Sequence, residues 1–104
     1  MMKVVIARRA ARDINDNFNW MAEQSQSRAN RWRDRILSTL DTFEENPERF
    51  PLAPEDHFYE GAVREFLAGK RPHLFRILFE IRVETVVILR IRHTKRDKLR
   101  PEEL

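Results

Sequence analysis

The chain has 104 residues, no Cys, and 20 Lys and Arg against 17 Asp and Glu, a net charge of +3. That length holds one domain over residues 1–104, and without Cys neither a disulfide framework nor a thiolate metal site is open to it. With 41% hydrophobic residues there is apolar area enough to fold, yet the longest apolar runs, residues 4–7 and 86–89, fall far short of the roughly 20 residues that span a bilayer. The first residues carry neither a long apolar segment nor a small-residue cleavage site, so a cytoplasmic protein is expected.

Lys3-Val4-Val5-Ile6 is short and β-branched and reads as a strand at a sheet edge. Ala10, Ile14, Phe18 and Met21 recur at helical spacing and form the buried stripe of a first helix. Ser25 and Ser27 then offer hydroxyls to cap a second helix, whose stripe is Ala29, Trp32, Ile36, Leu40 and Phe43, with Asn46-Pro47 setting its end. So short a link predicts an antiparallel helix hairpin. Residues 48–61 contain Pro51 and Pro54 without periodicity and read as a mobile, irregular connection. Three strands follow, over residues 62–67, 73–82 and 85–94. The order predicts an α+β fold: an N-terminal strand, the helix hairpin, then a three-stranded antiparallel sheet with the helices on one face and the other face open.

Phe75, Ile77, Phe79 and Ile81 form one apolar strand face, and Val87, Leu89 and Ile91 that of the next strand. A two-residue turn at Val83-Glu84 would pair Ile81 with Val86 and mismatch those faces. A three-residue turn or a bulge, pairing Arg82 with Val86, is expected instead, leaving Arg76, Leu78 and Glu80 beside Ile88, Arg90 and Arg92 on the open face.

Charge is segregated: residues 1–63 hold 9 basic and 11 acidic side chains and residues 64–104 hold 11 and 6, so a basic C-terminal face should stand against an acidic loop. Arg64, Arg76, Arg90, Arg92 and Arg96 come from three strands and the tail and can converge on the open face. Singly, each is as well explained by pairing with Glu65, Glu80 or Asp97; together they suit an anionic partner, nucleic acid or acidic protein. Two glycines, Gly61 and Gly69, exclude a glycine-rich phosphate loop, so no nucleotide cofactor is expected. His57, His73 and His93 lie apart with no ligand spacing, so no metal is expected. The loop carboxylates read as solvated charge rather than an acid and base pair. Trp32 belongs to the core stripe, whereas Trp20 lies off the first helix's stripe and is the better interface candidate.

The order of elements, with Gly61-Ala62-Val63-Arg64, His73-Leu74-Phe75-Arg76-Ile77-Leu78-Phe79 and Val87-Ile88-Leu89-Arg90-Ile91-Arg92-His93-Thr94-Lys95-Arg96-Asp97, resembles the ParE/RelE superfamily of bacterial toxins over nearly the whole chain, and ParE most within it. The resemblance implies a toxin neutralised by a cognate antitoxin encoded beside it. For the ParE branch it implies DNA gyrase as target; the basic residues Arg64, Arg76, Arg90, Arg92, His93 and Arg96 are then expected to bind that target, and the off-stripe Trp20 the antitoxin. For the RelE branch it implies a metal-independent endoribonuclease acting on messenger RNA at the ribosome. Arg64, Arg76 and Arg96 then match basic positions of the ribonucleases. The C-terminal tyrosine typical of RelE is absent, and His93 is its chemical substitute, unless its shared parity with Ile91 makes it a half-buried strand end. A gyrase inhibitor needs shape and charge but no proton-transfer pair, so that reading is preferred. A degenerate member that binds antitoxin alone is the third.

Overall fold

Strand β1 (Lys3–Ile6) leads into helix α1 (Arg8–Ala22), and after a three-residue link helix α2 (Gln26–Asp41) begins. The structure, a computed structural model, describes residues 2–58, 61–96 and 98–104, the side chain of Phe58 excepted. Ser25 caps α2 by accepting the Arg28 amide at 3.3 Å, in keeping with the hydroxyls at the helix junction. The α-helix stops at Asp41, earlier than Asn46-Pro47, and a 3-10 turn (Thr42–Glu44) carries Phe43 into the core. Asn46, at φ 47°, then takes the left-handed conformation and redirects the chain before Pro47.

Strands β2 (Arg64–Lys70), β3 (His73–Arg82) and β4 (Thr85–His93) form the antiparallel C-terminal sheet, and β1 joins β4 in parallel at the edge, giving the order β1-β4-β3-β2. The α+β architecture, the edge strand and the helix hairpin are as the sequence predicts. Strand β2 begins two residues later than expected and runs to Lys70. Gly69 sits there at φ +96°, where a Cβ would meet the His73 carbonyl oxygen at 2.5 Å, so glycine is required at this turn.

The β3–β4 hairpin departs from expectation in an instructive way. Its turn is the two-residue Val83-Glu84, pairing Arg82 with Thr85 and Ile81 with Val86. The bulge lies further along instead: Phe79 pairs with Ile88 and Leu78 with Arg90, leaving Leu89 as the extra residue. The bulge flips the parity of β4, so Val86 and Ile88 face the helices and Ile91 joins them from beyond it, while Val87 and Leu89 face the other side.

That other side is not open. Ala53, Val63 and Leu99 close over Leu78 and Leu89, with Val87 and Leu104 at the margin, making a second, smaller core. The segment expected to be mobile is pinned along β2, through Ala53 N–H to Val63 O at 2.8 Å and Glu65 N–H to Pro51 O at 2.9 Å. The main core lies between helices and sheet, where Phe43, fully buried, packs on Phe79, Phe50 and Phe66 at 4.8, 5.2 and 5.6 Å between ring centres.

Candidate functional site

Arg76 projects from the middle of β3 toward the second core, 3% exposed. Its Nη1 and Nη2 donate to the two carboxylate oxygens of Glu55 at 2.9 and 2.6 Å, and its Nε donates to Glu65 on neighbouring β2. Glu55, 1% exposed, also accepts the Leu99 amide at 3.0 Å, so one carboxylate ties the 3-10 turn Pro54–Phe58, strand β3 and the C-terminal tail together. Burial alone would push the Glu55 carboxyl up; the hydrogen bonds from Arg76 and the Leu99 amide outweigh it and hold the group below its ordinary value. Burial likewise disfavours the Arg76 cation, and the bonds to Glu55 and Glu65 more than compensate, so it stays charged.

Arg90 is held from the helix side. Beyond the last β1–β4 pair, Ile6 with Ile88, the outer edge of β4 meets no further strand among the described residues, and α1 supplies Asp13 instead. Asp13 accepts the Ile91 amide at 2.9 Å and the Arg90 Nε and Nη2 at 2.7 and 2.9 Å, a bidentate clamp that raises the Arg90 pKa. Arg92 lies directly across from Arg76 and is 8% exposed. Its Nη1 is 3.6 Å from Glu103, and its Nε is buried without a hydrogen bond among the described residues. Burial, followed by the nearby charge of Arg96, lowers its pKa.

The five arginines expected on one exposed wall therefore divide, and His93 is placed apart from them. Arg76 and Arg92 are drawn into the fold because its second core covers the face that was expected to be bare, and Arg90 is drawn to Asp13 on α1. Arg64 is partly buried and donates to the carbonyls of Glu48 and Phe50 at 3.1 and 2.7 Å. His93 is half-buried, its ring 5.0 Å from that of Phe75, with Nε2 donating to Pro72 O at 2.7 Å and Nδ1 accepting the Lys95 amide at 3.0 Å. Arg96 is exposed. Of the acids expected to pair locally, Glu65 does so with Arg76, Glu80 with Arg82, and Asp97 lies outside the described residues. Trp20 is 53% exposed on α1, while Trp32 packs on Phe75 at 5.1 Å. Among the described residues no group of three His, Asp or Glu side chains converges as a metal site, and no helix is long and apolar enough to cross a membrane.

The family model of the ParE toxin of type II toxin-antitoxin system, parDE, matches residues 4–98. The chain belongs to the ParE toxin family. Its fold is also that of a chain from the chromosomal ParDE toxin-antitoxin system of P. aeruginosa, with a TM-score of 0.72 at 19% identity, covering 89% of this chain and 96% of that one. No curated protein matches it by sequence. The α+β architecture expected from the resemblance is thus that of a ParE-family toxin, a component whose system includes an antitoxin partner.

In this ParE-family toxin the residues that sequence reasoning passed over are mostly acids. Asp13 and Glu55 lie 77 and 21 residues from the arginines they neutralise, so no local charge pattern announces them. Among the exposed cations passed over, Arg28, Arg31 and Arg35 share one helical stripe of α2, a spacing that was legible.

Proposed function

We propose that this toxin inhibits DNA gyrase in the cytoplasm, is neutralised by its cognate antitoxin, and works as an interaction protein rather than by cutting RNA. The observation that carries this reading is the engagement of the would-be catalytic groups. Cleaving RNA requires free cations to steady the developing phosphorane charge and a group placed to move a proton. Here Arg76 is committed to Glu55 and Glu65, and both nitrogens of the His93 ring are committed to the backbone. Inhibition by binding asks for neither group to be free. Arg96, exposed just after β4, is the member of the basic set best placed to touch the target, and exposed Trp20 on α1 suits the antitoxin.

Purified toxin added to gyrase and relaxed plasmid should block supercoiling, and the antitoxin should restore it. Arg96→Ala should weaken the block while antitoxin binding is kept. Uninhibited gyrase together with cleavage of translated messenger RNA would replace this reading with the endoribonuclease one. Absence of both, with no growth arrest on expression, would leave a toxin retained for antitoxin binding.

A further inference from the structure

A cleft of about 340 Å³ opens between α2 and the turn that joins β2 to β3. Arg28, Arg31 and Arg35 line one wall, Lys70, Arg71 and His73 the other, and Trp32, Met21, Ile36 and Ala68 contribute its apolar surface. Among the described residues no Asp or Glu lines it. Four of these cations, Arg31, Arg35, Lys70 and Arg71, are exposed and make no side-chain hydrogen bond or ion pair with any described residue. Arg28 donates to His73 Nε2 at 2.8 Å and so links the two walls. Like charges facing one another across a groove repel, and a protein that pairs Arg76 and Arg90 so thoroughly leaves these bare.

We propose that this cleft binds the sugar-phosphate backbone of nucleic acid. Guanidinium groups bind phosphate oxygens in a planar, bidentate fashion, and four of the five cations are arginine. The spacing suits a repeating anion. Arg28 and Arg35 are seven residues apart, about 10 Å along the helix axis at about 1.5 Å per residue, with Arg31 between them. Along the axis of a duplex, three phosphate steps of one strand, at about 3.4 Å each, advance a similar length. Trp32 and His73 add aromatic surface to the lining, the usual companion of a basic groove that follows a strand. The site is separate from the covered sheet face, and it is decided without gyrase.

The test is fluorescence anisotropy of the full-length protein with a short labelled DNA single strand and the duplex of the same sequence, between about 50 and 200 mM salt. Arg31 and Arg35 have exposed side chains with no partner among the described residues, so Arg31→Ala/Arg35→Ala should fold as wild type. That variant should weaken binding at least about tenfold and reduce the slope of log affinity against log salt by about 1.8 for duplex or about 1.4 for single strand. Arg8→Ala/Arg12→Ala on α1 removes the same charge elsewhere and should leave both nearly unchanged. Three results would each overturn the proposal: no binding by the wild-type protein, equal loss in the two double variants, or equally strong competition by a poly-glutamate peptide of matching charge. The last would assign the cleft to an acidic polypeptide.

Discussion

Two sets of arginines on this small protein have opposite fates. On the sheet face away from the helices, Arg76 and Arg92 are buried, and at the edge of β4 Arg90 is mostly so; carboxylates hold Arg76 and Arg90 at hydrogen-bond distance. Along α2 and the β2–β3 turn, Arg31, Arg35 and Arg71 stand in solvent with no partner among the described residues. Desolvating a cation costs so much that burial enforces pairing, whereas an exposed cation is free to meet a ligand. A cluster of arginines in a sequence therefore marks a binding surface only where the fold leaves them outside.

The contrast can be broken first at Glu55. Glu55→Gln leaves Arg76 with a single carboxylate in a buried setting, and should cost about 3–5 kcal/mol of unfolding free energy in a urea titration. The pH dependence follows in sign. Because the folded-state pKa of Glu55 lies below its ordinary 4.5, its stabilisation is complete above about that pH and is lost as the pH falls through the lowered value. In Glu55→Gln that portion of the acid-side loss should vanish, so the stability curves of variant and wild type should converge toward low pH.

Next in size is Asp13→Asn, which loosens the clamp on Arg90 and the Ile91 amide. It should cost about 2 kcal/mol by the same titration, with hydrogen exchange rising at Ile91. A smaller effect of the opposite sign is expected at Val83, 94% exposed and at φ 49°, a conformation unfavourable to a β-branched residue. Val83→Gly should raise stability by about 1 kcal/mol. Least of all, Arg31→Ala/Arg35→Ala should change stability by less than about 0.5 kcal/mol, which is what sharpens its use as a binding probe.

Much of the fold was legible because it rests on local signals. The helix stripes from Ala10 to Met21 and Ala29 to Phe43, the serine cap and the β-branched edge strand each depend on residues a few positions apart. The position of the bulge was not, because Val86 to Ile91 is nearly all apolar and either parity satisfies one core; only the presence of a second core decides it. The candidate site was the least legible part. Arg76 and Arg90 were visible as cations, but their partners Glu55 and Asp13 sit on other elements, and Ala53, Val63 and Leu99 gave no periodic sign that they would roof the sheet. The stripe of Arg28, Arg31 and Arg35 was readable beside Trp32 and Ile36, yet that Arg31 and Arg35 meet no partner among the described residues is a property of the folded chain alone.

The most direct measurement is gyrase inhibition by the double variant Glu55→Met/Arg76→Met, checked for folding by circular dichroism. A buried ion pair can often be exchanged for apolar side chains without loss of fold. If Arg76 belongs to the architecture and the target is met elsewhere, the folded variant should inhibit supercoiling as wild type does. A folded variant that has lost inhibition would contradict this, and return Arg76 to the toxin's working surface.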